Sequence, residues 1–157
     1  MSEQSYELRA GALTLIDEHV ERTRWTQAYY DVRLPRLYQS IDHDGRGWSV
    51  FAAERGAERL VAISVLDGRW MGANLDMLDL TFIHVSRELR GSGVGGELFD
   101  HSAALARERG AKRMYVSASN SRKSVDFYTR RGFVLAAPPD PALHEIGPTD
   151  IHLELSL

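Results

Sequence analysis

The run Arg90-Gly91-Ser92-Gly93-Val94-Gly95-Gly96 is the stretch best suited to chemistry, because glycines let main-chain amides approach a phosphate closely. Three phosphate-binding frames overlap in it. Gly91, Gly93 and Gly96 spell the dinucleotide fingerprint G-x-G-x-x-G, Gly91 and Gly96 have the spacing of a Walker A loop, and Arg90, Gly93 and Gly95 make an Arg-x-x-Gly-x-Gly loop. The Walker frame fails, since it needs Lys and then Ser or Thr after the second glycine and this chain has Glu97 and Leu98 there. A carboxylate in place of that lysine repels the ligand. The dinucleotide frame wants the motif in the opening β-α-β unit and an acid closing the second strand; here about ninety residues precede the loop, and the next strand ends "VSASN". It stays open as the poorer reading, with a nicotinamide-dependent oxidoreductase as its consequence. A glycine turn that serves only strand–helix packing also stays open.

Other chemistries fall away by composition. The chain has no cysteine, which removes disulfides, thiolate metal sites and a cysteine nucleophile. Its six histidines show no His-x-x-x-His spacing or comparable carboxylate cluster, so no metal site is expected. Nineteen basic residues against 22 acidic ones give a net charge of -3, which argues against nucleic acid as the partner. No apolar run is long enough to span a bilayer, and the start "MSEQSYELRA" is too polar for a signal peptide; a cytoplasmic protein with no membrane partner is the expectation. A length of 157 residues suits one domain with a real core.

The elements that must position the loop follow from periodicity and turn residues. "YELRAGALTLI" reads as strand, the mixture from about Asp17 to Gln39 as helix with breaks (one at Pro35), and "IDHDGRG" as a turn. "WSVFAA" and "RLVAISVL" read as a hairpin around "ERGAE", and "DGRWMGANLD" as a loop. "MLDLTFIHVS" is an apolar strand entering the glycine loop. The helix after it carries Val94, Leu98, Leu105 and Ala106 at helical spacing and stops at Gly110. "RMYVSAS" is the next strand, Asn120 or Ser121 caps a short helix "RKSVDFYTRR", and Gly132 ends it. "FVLA" begins a strand, "APPDPALHEIGP" reads as a long loop, and "DIHLELSL" alternates as the closing strand. The predicted fold is α/β (α+β): a single-domain, mixed and mostly antiparallel sheet with a central β-α-β core and flanking helices.

Placed between "FIHVS" and "VGGELFDHSAALARERGAKRMYVSASN", the Arg90-x-x-Gly93-x-Gly95 loop resembles motif A of the GCN5-related N-acetyltransferases. "NSRKSVDFYTRRGF" resembles the family's next motif, with Asn120 ending the strand and Tyr128 on the helix before the Gly132-Phe133 turn. The resemblance covers about residues 78–135 and implies one acetyl-CoA-binding N-acetyltransferase domain over residues 1–157. In this family the sheet splays between its fourth and fifth strands and acetyl-CoA wedges into the gap. The resemblance therefore implies that the main chain of Ile83, His84 and Val85 holds the pantetheine arm. The amides of Arg90, Gly91, Ser92, Gly93, Val94 and Gly95 would bind the pyrophosphate, and Asn120, Ser124 and Tyr128 would meet the cofactor from the next strand and helix. An amine would attack the thioester directly, with Tyr128 as general acid to the departing thiolate.

Asp79 is the candidate base, six residues before Val85, where histone-acetylating members keep a glutamate; the alternatives are an acid at the strand's exposed beginning, doing nothing, and a water chain or a neutral acceptor that needs no base. By strand alternation Asp79, Thr81, Ile83 and Val85 share one face and His84 takes the other, unless a bulge intervenes. His84, whose imidazole could accept a proton, then reads as structural, and His152 is a lower-grade candidate that reads more simply as a packed or half-exposed strand histidine. "RERGAKR" supplies Arg107, Arg109, Lys112 and Arg113, read as solvated helix-end charges or contacts to the 3′-phosphate of CoA. "RTRWTQAYYDVRLPRLY" reads as an amphipathic helix on the sheet, a substrate lid or a homodimer surface. The partners implied are acetyl-CoA and an amine acceptor, a small molecule ahead of a peptide. A catalytically silent acyl-CoA-binding module of the same fold is the alternative function.

Overall fold

The structure, a computed structural model, describes residues 3–18 and 26–157. Among the described residues, eight strands, four α-helices and one 3-10 turn follow one another as a mixed α/β fold. They are β1 (Glu3–Arg9), β2 (Ala12–Glu18), α1 (Gln27–Asp42), β3 (Arg46–Glu54), β4 (Ala57–Leu66), β5 (Met77–Val85), the 3-10 turn Arg87–Leu89, α2 (Val94–Glu108), β6 (Arg113–Ala118), α3 (Arg122–Thr129), β7 (Val134–Leu135), α4 (Pro141–Ile146) and β8 (Ile151–Ser156). Two compact units divide the chain: residues 1–32 with 115–156, and residues 33–114 with Leu157. No described helix is long and apolar enough to cross a membrane.

In the unit of residues 33–114 the strands run in the order β3-β4-β5, each antiparallel to its neighbour. Arg55 and Gly56 turn the β3–β4 hairpin with φ of 50° and 82°, the pair of positive values that matches strand twist. One face of this sheet receives α2 through Leu98, Phe99, Ser102, Ala103 and Ala106, all buried. Ser64 of β4 lies 3.4 Å from Ser102, and Trp48 of β3 stacks on His101 at 6.2 Å, which fixes α2 on that face. Gly45 is dictated by close approach: a Cβ there would fall 2.1 Å from the Ser40 carbonyl oxygen and 2.6 Å from that of Leu66. The "IDHDGRG" turn thus binds the end of α1 to the end of β4.

The other unit holds the β1–β2 hairpin and strands in the order β6-β8-β7. Ala10 and Gly11 again supply two positive φ values, 50° and 80°. Tyr115, Val116, Val125 and Leu153 are almost fully enclosed and form its core. Ser121 caps α3 by accepting the Ser124 N–H, and Gly132 at φ 93° ends the helix region, with the Phe133 N–H returning to the Tyr128 carbonyl at 3.2 Å.

Three expectations need correction. Pro35 does not break α1, which runs through it to Asp42. Proline removes one amide bond from a helix, but Arg36 and Ser40 just beyond it bond into the sheet and hold the helix on course. Asp17 belongs to β2, whereas residues 19–25 of the predicted helix lie outside the described residues. The "APPDPALHEIGP" segment is not all loop: Asp140 accepts the Leu143 N–H at 3.0 Å, Pro141 takes the first helical position, and α4 follows.

Candidate active site

The glycine loop enters α2 as an anion-binding turn should. Gly91 and Gly93 have φ of 85° and 94°, values an L side chain rarely adopts. The first intrahelical bond runs from the Glu97 N–H to the Gly93 carbonyl at 3.1 Å, so the amides of Val94, Gly95 and Gly96 precede it and have no helical acceptor. A Cβ built on Gly91 or Gly93 meets nothing within 4 Å, so these glycines do not serve tight packing. Open amides beside an open approach fit a pyrophosphate. The expected pyrophosphate role predicts that Gly93→Val weakens CoA binding at least about tenfold, because backbone strain of about 1–3 kcal/mol would fall on the loop assigned to the phosphates. Titration calorimetry with CoA checks this, and undiminished affinity would remove the loop from the site.

Arg90 folds back, its Nε donating to the Val85 carbonyl at 3.1 Å. Ile83, His84 and Val85 are half-buried. Burial, and after it the Arg90 charge, push the His84 imidazole below its ordinary value. Arg113 pairs with Asp76 at 2.9 Å and Arg109 with Asp44 at 3.7 Å, so these two cations of "RERGAKR" are matched by acids.

A bulge does intervene in β5. Val65 pairs with Phe82 but Leu66 with Leu80, which leaves Thr81 as the extra residue. Directly opposed residues share a face, so Ile83 and Val85 lie with Ser64 and Ala62 on the α2 side. Asp79 shares the opposite face with Phe82 and His84, and these two rings stack at 6.2 Å. The expected grouping of Asp79 with Ile83 and Val85 is therefore reversed by one inserted residue.

Asp79 is not at an exposed strand end; only 4% of it is accessible. Its Oδ2 accepts from Arg36 Nη2 at 2.5 Å and from the Thr81 hydroxyl at 3.0 Å, while Oδ1 and Arg36 Nε have no hydrogen-bond partner. Burial raises the Asp79 carboxyl above the usual range, with Arg36 and Thr81 pulling against it. Asp67 closes the cluster, bonding the Ser40 hydroxyl at 2.7 Å and Arg69 at 2.6 Å. Burial would raise Asp67 too, but Arg69 and Ser40 outweigh it and hold its carboxyl below the usual range. A depressed folded pKa adds stability that is complete above the unfolded value and is lost as pH falls through the folded one. Asp67→Asn is accordingly expected to flatten the acid limb of the stability–pH curve below about pH 4, as urea unfolding across pH would show. Nothing in the sequence singled out Arg36 as the partner of Asp79.

In the other unit Tyr128 is buried on α3, edge-on to Phe127 at 5.1 Å and to Phe133 at 5.3 Å. Ser124 shares its hydroxyl with Ser119 and Ser121 at 2.9 and 3.0 Å. The Asn120 carbonyl accepts the Tyr6 N–H at 2.7 Å, which joins the β1–β2 hairpin to the end of β6. A cavity of about 630 Å³ lies between that hairpin and the β7–α4–β8 segment, with Asn120 and His152 in its wall. His152 is more than a packed histidine. Its Nδ1 lies 2.9 Å from the Tyr115 hydroxyl, and its Nε2 is buried. Burial lowers its pKa, against the smaller opposing pull of the Gly147 carbonyl and Asp150.

The model of the Acetyltransferase (GNAT) family matches residues 13–133. No curated protein matches the chain in sequence. Among solved structures, nourseothricin acetyltransferase is 23% identical with a TM-score of 0.62, over 99% of this chain and 83% of that one. A GNAT-family acetyltransferase of Staphylococcus aureus Mu50 is 18% identical with a TM-score of 0.62, over 88% and 82%. A Mycobacterium tuberculosis protein in complex with CoA is 18% identical with a TM-score of 0.56, over 79% and 81%. At these identities the likeness shows the fold.

Proposed function

Since the chain belongs to the GNAT acetyltransferase family, we propose that it moves an acetyl group from acetyl-CoA to a primary amine by direct attack, as one domain over residues 1–157. The observation that carries this is the Arg90–Gly95 loop, with positive φ at Gly91 and Gly93 and the open amides of α2 behind them. Acetyl-CoA supplies an acetyl thioester, a donor that needs no covalent enzyme intermediate, in keeping with a chain that has no cysteine.

Each residue then has a defined task. The amides from Arg90 to Gly95 hold the pyrophosphate, and the helix start of α2 favours its charge. The main chain of Ile83, His84 and Val85 binds the pantetheine arm in strand fashion. Asn120 and Ser124 are further contacts to the cofactor. The acceptor nitrogen attacks the thioester carbonyl carbon, a C–N bond replaces the C–S bond, and the departing sulfur takes the Tyr128 hydroxyl proton. The ammonium proton of the acceptor must leave before attack. Asp79 is one acceptor for it: burial raises its carboxyl above the usual range, and the Arg36 pair on Oδ2 pulls against that rise.

The deciding experiment follows free-thiol release from acetyl-CoA across a panel of small amines and peptides, alongside CoA binding by calorimetry. Turnover with a small amine is the expected result. CoA binding with no thiol release over the whole panel would make the chain an acyl-CoA-binding module instead. Binding of a nicotinamide cofactor in place of CoA would overturn both readings.

A further inference from the structure

β3 is an edge strand: β4 pairs with one side of it, and among the described residues no strand pairs with the other. Its nine residues, "RGWSVFAAE", include no lysine or proline. The irregularity in its pairing leaves Val61 of β4 as the extra residue, so β3 itself is not bulged. A long edge without these protections offers a row of open amides and carbonyls to another chain.

The same strand carries exposed apolar surface. Phe51 lies opposite Leu60, and the two are 55% and 46% accessible. Alternation along β3 puts Gly47 and Phe51 on one face and Arg46, Trp48 and Glu54 on the other. On the Trp48 face, that ring stacks on His101 of α2. On the Gly47 face α1 comes close, since a Cβ on Gly47 would lie 3.7 Å from Ile41 Cδ1. α1 ends at Asp42, and Phe51 and Leu60 stay open to solvent farther along the hairpin.

The charges of β3 identify what fits it. Arg46 opens the strand and Glu54 closes it, and both are exposed. Glu54 meets Arg59 of the same hairpin through one oxygen, Oε2, at 3.0 Å. A strand with a cation at one end and an anion at the other complements its own reversed copy. We propose that two copies of this chain pair antiparallel through the β3 edge, about a twofold axis at Val50. Arg46 of each copy then lies directly opposite Glu54 of the other, Gly47 opposite Ala53, and Ser49 opposite Phe51. Opposed Cβ atoms in such a pair are about 4.5–5.5 Å apart, which suits an ion pair. The two Phe51 rings become diagonal neighbours about 7–8 Å apart, each covering apolar surface that one copy leaves open. The dimer contact thus falls on β3, and it holds whether or not the chain transfers acetyl groups.

The test is sedimentation of the full chain over about a hundredfold range of concentration, with dimer formation following mass action. A reversible monomer–dimer equilibrium is expected. Phe51→Lys should weaken it at least about tenfold, because it removes the apolar cover and sets two cations diagonally across the axis. Arg46→Glu should weaken it by a similar factor, since acids then oppose acids at both ends. Glu54→Arg should do the same with cations. An equal mixture of the Arg46→Glu and Glu54→Arg chains should form a heterodimer, because every opposed pair is again of opposite sign. The swapped chain Arg46→Glu/Glu54→Arg should likewise recover the homodimer. A variant that merely folds poorly would show neither rescue. A parent chain that stays monomeric over the whole range would overturn the proposal. A dimer that survives both Phe51→Lys and Arg46→Glu would also overturn it, as would single charge variants that fail to rescue each other.

Discussion

Tyr128→Phe is expected to lower turnover about a hundredfold or more, the scale of a lost general acid, while CoA affinity stays within about twofold. The ring is buried against Phe127 and Phe133, and removing one oxygen leaves both edge-on contacts in place. Denaturant unfolding of the variant is measured alongside, and a loss of rate at unchanged stability is assigned to the proton. Steady-state kinetics with acetyl-CoA, paired with calorimetric CoA binding, separates the two quantities. An equal fall in both would show that Tyr128 binds the donor and does not protonate the leaving sulfur. Unchanged turnover would remove it from the mechanism.

Arg36→Met is expected to cost about 3–5 kcal/mol of stability, because it strands the buried Asp79 carboxylate. The side chains are 16% and 5% exposed, so water offers little compensation. Asp67 adds a second nearby negative charge, and Arg69 would be left as the cation of the cluster. The double variant Arg36→Met/Asp79→Leu should recover most of the loss, since apolar groups of similar size often replace a buried ion pair without penalty. Denaturant unfolding of the single and double variants measures this, and a single variant as stable as the parent would refute the pairing. The double variant also decides the role of Asp79. Recovered stability with retained turnover makes Asp79 an anchor for α1, whereas recovered stability without turnover keeps it as the base.

The sequence by itself determined the local devices. The glycine loop, the stop at Gly110, a cap at Asn120 or Ser121 and the tight turn inside "ERGAE" depend on backbone preferences within a few residues, so they are legible from residue type alone. The Asp140-Pro141 start of α4 was equally local but was hidden among prolines that read as loop. Tertiary structure alone decided the rest. The insertion of Thr81 into β5 depends on how β4 and β5 register, and one extra residue moves Asp79 to the other face. The Arg36–Asp79 pair spans 43 positions and forms only because α1 runs past Pro35 and lies over that face. His152 alternates along its strand like any half-buried residue. The cavity with His152 in its wall is closed by a hairpin more than 130 positions earlier in the chain, packed where no periodicity within β8 can announce it.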